Sequence, residues 1–191
     1  MKNKIIVKAK TISFSFVTLH NAAYYALQAA QESIDGRFYN CLTAKIFSAF
    51  SFEAYLNHLG NSEFQEWAKF EKRFSPRQKL DKLVAKKGYL PDFSKPPFGT
   101  LNQIFTFRKK IAHGKTEQIE VEEVQERRLG DKPDLPTTSW EIETTLENAT
   151  SFVEDSASMI RLLHPIFGYQ ADAFLTEWKS SWEAKPYTDH S

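Results

Sequence analysis

A mainly α fold, a bundle of four to five main helices with one or two short N-terminal strands and a short C-terminal helix, is predicted by three observations. Apolar residues recur at helical spacing through most of the chain. These stretches are punctuated by capping residues and glycines, and strand-like alternation is confined to the first segment. At 191 residues the chain suits one domain with a sizeable core. The expected division is a strand segment at 1–17, a helical bundle at 18–167 and a C-terminal extension at 168–191.

In the first segment, Ile12, Phe14 and Phe16 alternate with Ser13 and Ser15, which is strand periodicity. Thr18 is a candidate N-cap for the first helix, which carries Leu19, Ala23, Ala26 or Leu27, Ala30 and Ile34 at helical spacing and ends at Gly36. From Arg37 to Leu59 the second helix is apolar nearly all round, the pattern of a helix enclosed by neighbours, and Gly60 is expected to end it. Ser62 with Gln65 reads as the capping box of a short third helix. Ser75, Pro76 and Gly88 bracket a fourth. The Pro-rich stretch LPDFSKPPFG is a loop, after which Thr100 opens a fifth helix closed by Gly114. QIEVEEV reads as a possible strand, LGDKPDLP as a loop, and the last long helix spans Thr138 or Ser139 to Phe167. A short helix over Ala171 to Trp182 completes the expected set.

Composition narrows the function classes. With 41% hydrophobic and 26% charged residues the chain has the balance of a globular protein, and sixteen Phe point to a bulky core or an interface. The three-residue apolar run in MKNKIIVKAK is too short for a signal peptide, and no eighteen apolar residues are consecutive. Cys41 is the only cysteine, so an intramolecular disulfide is impossible and Cys41 reads as core. These features predict a cytoplasmic protein with no membrane segment. Residues 1–68 carry six Lys/Arg and five Asp/Glu, residues 69–115 thirteen and three, and residues 116–191 six and sixteen, giving +1, +10 and −10. Either the basic block makes a positive face suited to phosphates, or the two blocks neutralise each other within one subunit or between two.

Chemistry concentrates in FRKKIAHGK. On a helical wheel Arg108 falls inside the apolar stripe of Leu101, Ile104, Phe105, Ile111 and Ala112, and Glu53 sits likewise among Leu42, Ile46, Ala49 and Leu56, with Asn57 one turn on. A charge facing a core needs a partner. The second and fifth helices are therefore expected to pack together, pairing Glu53 with Arg108. On that basis alone the pair locks helix register, and His113 is a cap residue suited to the negative end of a helix. No phosphate loop, dinucleotide fingerprint or His-Glu-x-x-His is present. His20, His58, His164 and His190 are too scattered to suggest a metal site, so neither metal nor cofactor is expected.

FRKKIAHG also resembles the signature of HEPN domains, an Arg followed by four to six residues and a His; here Arg108 and His113 enclose four. FSAFSFEAYLNHLG is similar to a run common in bacterial members of that family. The resemblance covers residues 18 to 165. It implies a four- or five-helix bundle, a homodimer, and, in active members, metal-independent endoribonuclease activity of toxin or defence type in a cleft where two motifs meet. In that scheme His113 is general base or acid, because imidazole titrates near neutrality, and Arg108 holds the scissile phosphate. Lys109, Lys110 and Lys115 would bind substrate, with Glu53 and Asn57 in support. Five residues place Arg108 and His113 about 140° apart on a helix, so one helix cannot easily aim both at one phosphate. Lys109 stands where active members carry a polar Asn, Asp or His. That departure fits degenerate members, which act as binding or adaptor modules for a protein partner such as an antitoxin.

Overall fold

In the computed structural model the described residues are 5–122, 124, 126, 128, 130, 135–170, 172–174 and 179–186. The chain runs β1 (Ile5–Ile12), α1 (Ser15–Glu32), α2 (Arg37–Glu63), α3 (Trp67–Glu71), α4 (Pro76–Lys87), α5 (Leu101–Ala112), α6 (Ser139–Ile142), α7 (Leu146–Ile166) and β2 (Lys179–Pro186). The mainly helical bundle is as predicted. No described helix is long and apolar enough to cross a membrane.

At the centre lies α2, against which α1, α3, α4, α5 and α7 all pack. From residue 40 to residue 60 no position on it is exposed, the burial that its all-round apolar sequence implies. Small residues set the spacing on one side. Ala23 and Ala30 of α1, Ala44 of α2 and Ala149 of α7 are wholly buried together, letting three helices approach closely. On the other side Phe52, Tyr55, Leu56 and Leu59 meet Phe16, Trp67, Leu80, Leu83, Ile104, Phe107 and Leu163 in the main core.

Local signals place several ends. Ser75 accepts the Gln78 backbone N–H while the Gln78 side chain accepts the Ser75 N–H, so α4 begins on a full capping box and ends at Gly88 with φ 65°. Between α1 and α2 the chain reverses at Gly36, φ 71°, which is the N-cap of α2 rather than the C-terminal glycine of α1. Arg37 closes α1 from outside instead, its Nε donating to the Ala30 carbonyl at 2.8 Å and the Ser33 carbonyl at 3.2 Å.

Further expectations are corrected. First, α2 continues through Gly60 to Glu63, so Ser62 is no N-cap; its hydroxyl donates to the Leu59 carbonyl at 2.9 Å. Gly60 is needed for space rather than for termination, because a Cβ there would lie 1.9 Å from the Trp67 ring. Second, the last long helix is broken at residues 143–145. Thr145 caps α7 by accepting the Asn148 N–H, and the Glu143 carbonyl is taken by the Lys45 and Asn148 side chains. Third, the alternating stretch is not strand at Phe14 and Phe16; α1 begins at Ser15, and Phe16 is buried. The strand lies just before it. Fourth, the described end of the expected C-terminal helix, residues 179–182, is strand. Lys179–Pro186 pairs antiparallel with β1, from Ile5 opposite Pro186 to Ile12 opposite Lys179, and Trp178 lies outside the described residues. The described residues of the QIEVEEV segment form no strand.

The close approach at Gly60 generates a prediction. In an open helix Gly→Ala gains about 1 kcal/mol from propensity. Here the added methyl must displace a buried indole, and overpacking costs about 1–3 kcal/mol or more. Gly60→Ala is expected to lower unfolding free energy by about 2 kcal/mol in urea titrations, and Trp67→Leu in the same chain should recover part of it.

Candidate functional site

The buried line of α5 is Leu101, Ile104 and Phe107. Beyond Phe107 the helix leaves the core: Ile111 is half-buried and Ala112 exposed. Arg108 stands at that exit on the inward side, its side chain 32% exposed, so it is at the margin of the core rather than within it. Its Nη2 donates to Glu53 Oε2 at 3.3 Å, joining α5 to α2 as the sequence implied. Its Nε is buried with no hydrogen-bond partner among the described residues. The guanidinium also stands 5.3 Å from the Phe50 ring centroid.

Glu53 has a second partner that the sequence reading missed. Lys79 of α4 is fully buried and donates to Glu53 Oε1 at 2.8 Å. One carboxylate therefore bridges a buried ammonium and a partly open guanidinium, holding three helices. The two pairs differ in worth. Partly exposed, screened pairs such as Arg108–Glu53 contribute about 1 kcal/mol or less, whereas stranding a buried cation costs about 3–5 kcal/mol.

His113 is exposed on the outward side of α5 and closes it, its backbone N–H donating to the Lys109 carbonyl at 3.1 Å. Its imidazole has no partner among the described residues. Lys109 and Lys115 are likewise exposed and in no ion pair there. Lys110 is engaged, with Nζ 3.0 Å from Ser139 Oγ and 3.1 Å from Glu143 Oε1. Asn57, one turn beyond Glu53 on α2, is engaged elsewhere: its Oδ1 accepts Trp67 Nε1 at 3.4 Å. It lines a cavity of about 310 Å³ with His58, Asn61 and Glu71.

Three histidines apart in sequence gather at the other face of α2. The Tyr55 hydroxyl and His164 Nδ1 are 3.0 Å apart, and Tyr169 stacks on His164 with centroids 4.6 Å apart. His58 touches the rings of Phe14, Phe16, Tyr55 and Tyr169. His20 stacks on Phe174 at 3.9 Å. Burial holds all three imidazoles below their ordinary range and pushes the Tyr55 phenol up, so neutral histidines and a protonated hydroxyl populate this cluster. Among the described residues no three His, Cys, Asp or Glu are placed to hold a metal ion. Cys41 is buried, and burial raises its thiol pKa, which suits core rather than nucleophile. Lys45, the other fully buried lysine, was also missed, although a lone charge amid CLTAKIFSAF was the signal for it. No family model, characterised protein or solved structure matches the chain.

Two predictions follow from these groups. Glu53→Gln should destabilise the fold by about 3 kcal/mol because Lys79 stays buried, whereas Arg108→Met should shift it by about 1 kcal/mol or less; urea midpoints separate the two. Burial, then the Arg161 guanidinium, lowers His20 to about 4. The unfolded imidazole titrates near pH 6.5, so the unfolded chain binds more protons and stability falls as pH drops from about 6.5 towards 4. At pH 5 the loss from His20 is about 2 kcal/mol relative to pH 8. A His20→Phe variant is expected to show a smaller drop in its urea midpoint over the same interval.

Proposed function

We propose that this is an RNA-binding, HEPN-like protein that acts as a homodimer and cleaves RNA without a metal. The observation that carries the reading is the state of the two motif residues. His113 ends α5 in solvent with an unengaged imidazole, while Arg108 leaves the core on another side of the same helix, steadied by Glu53. In the reaction His113 takes the proton of a ribose 2′-OH, whose oxygen attacks the adjacent phosphorus, and an acid protonates the departing 5′ oxygen. The products are a 2′,3′-cyclic phosphate and a 5′-hydroxyl. Arg108 neutralises charge that builds on the phosphate oxygens.

Two-fold symmetry supplies the geometry that one helix lacks, because the Arg of one copy can face the His of the other. Phosphate attraction comes from the basic block. Lys72, Arg73, Lys82, Lys109 and Lys115 have no carboxylate partner among the described residues. If these five contact phosphates, single-stranded RNA affinity falls with salt at a log–log slope of about −3 to −4.

A second reading, an inactive HEPN-like adaptor binding a protein partner of antitoxin type, is favoured by the Glu53 contact. A guanidinium tied to a carboxylate is partly neutralised before any phosphate arrives, and Lys109 follows it.

RNA incubated with the protein in chelator should be cleaved, with loss of cleavage in both Arg108→Ala and His113→Ala. Mixing those two variants should restore about a quarter of the wild-type rate, since half of the dimers are mixed and each has one intact composite site. Cleavage that survives His113→Ala overturns the nuclease reading. Neither binding nor cleavage leaves the adaptor.

A further inference from the structure

Lys45 lies a third of the way along α2 with 1% of its surface exposed. Its Nζ donates to the Glu143 backbone carbonyl at 2.6 Å. The Phe107 ring centroid lies 3.5 Å from that nitrogen and the Phe152 centroid 4.6 Å. Among the described residues no carboxylate pairs with it. The nearby Glu143 carboxylate is engaged by Lys110 at 3.1 Å. An ammonium has three protons and accepts nothing, so one carbonyl and two ring faces leave it short of acceptors. An uncompensated buried charge costs several kcal/mol. Burial accordingly lowers its pKa to about 8, which still leaves most of the charge in place at pH 7.

Beside this nitrogen opens a cavity of about 460 Å³, lined by Lys45, Asn102, Gln103, Thr106, Asn148 and Phe152 together with Glu143. The size is that of a small-molecule site. Apart from Lys45 and Glu143 its polar wall is uncharged and rich in donors. Asn102, Gln103 and Thr106 are exposed on the outer face of α5, and their side chains have no hydrogen-bond partner among the described residues. Asn148 is held in place, its Nδ2 donating at 3.0 Å to the same Glu143 carbonyl that Lys45 uses. Lys45 and Lys110 against Glu143 leave the group with one positive charge, which one bound anion would cancel.

We propose that this cavity binds a small organic molecule through a single oxyanionic group, phosphate or carboxylate, with the anion on Lys45 and the carboxamides of α5 and the organic part against the Phe152 ring. Such a ligand supplies the counter-charge that folding denies Lys45. The buried position of the ammonium favours a small molecule over a nucleic-acid backbone. This site uses different residues from the Arg108–His113 group and is independent of it.

The test is a thermal-shift and NMR titration of the full chain at pH 7 with inorganic phosphate and with acetate, ionic strength held constant with sodium chloride. Phosphate or acetate should raise Tm above the chloride control, and whichever does so identifies the class of anion. The Lys45 side-chain resonances should report a higher pKa in the bound state, because an anion favours the ammonium. Affinity should drop about tenfold or more in Lys45→Met, the loss expected for a charged hydrogen bond. Asn102→Leu with Gln103→Leu alters only exposed positions and should weaken binding several-fold with the fold intact, which decides the matter if Lys45→Met does not fold. The proposal is overturned if neither anion acts beyond chloride, or if both sets of variants respond as the wild type does. Displacement of the anion by single-stranded RNA at low concentration would also overturn it, assigning the cavity to the nucleic acid.

Discussion

The enclosure of α2 is the constraint on which the remaining structure depends. A helix covered on all sides cannot leave a polar group to water, and each that it carries must be answered by a specific atom, on the helix itself, as where Ser48 donates to the Lys45 carbonyl, or on a neighbour. Ser51 donates to the Phe16 carbonyl of α1 at 2.8 Å, and Tyr55 meets His164 of α7. Glu53 meets Lys79 of α4 and Arg108 of α5. Lys45 meets the carbonyl that terminates α6. A made hydrogen bond contributes about 1 kcal/mol, whereas an unmade one on a buried group costs about 1–3 kcal/mol. The polar residues of α2 thus act less as sources of stability than as penalties against other arrangements of its neighbours.

The break between α6 and α7 illustrates this. A continuous helix would give the Glu143 carbonyl to the backbone N–H four residues on. Lys45 and Asn148 take that oxygen, Thr145 offers a fresh N-cap, and the chain restarts as α7 in a direction that lets Ala149 and Val153 meet Ala44 and Cys41. A single buried lysine therefore bears on the course of an element a hundred residues away in the chain.

How much was legible in the sequence follows from where the information lies. The ends of α4 were readable because Ser75, Pro76, Gln78 and Gly88 act within one turn of where they stand. The Glu53–Arg108 pair was readable because each residue breaks an otherwise apolar face, and two such breaks suggest each other. Lys79 broke no pattern, since α4 is rich in lysine and nothing local marks which one turns inward. Gly60 was misread because a glycine that ends a helix and a glycine that admits an indole look alike until Trp67 is placed. The C-terminal strand was invisible because KSSWEAKP becomes a strand only by pairing with residues near the other end of the chain. The histidine cluster failed to appear for the same reason: Tyr55 and His164 are 109 residues apart.

The charge segregation is resolved more locally than either sequence reading supposed. Glu53, Glu63, Glu66, Asp81 and Asp92 supply the acids for Lys79, Arg108, Lys86, Lys87, Lys69, Arg77 and Lys95, all within the first two parts of the chain. Among the described residues, Lys110–Glu143 is the ion pair that joins the basic block to the acidic third. Among the described residues the two blocks therefore meet through a single ion pair. For a polyanion this is a directional surface, attracted by the basic block and repelled by the acidic third. Arg108, at the margin of the core, and His113, in solvent, both lie within that basic block, at the C-terminal end of α5.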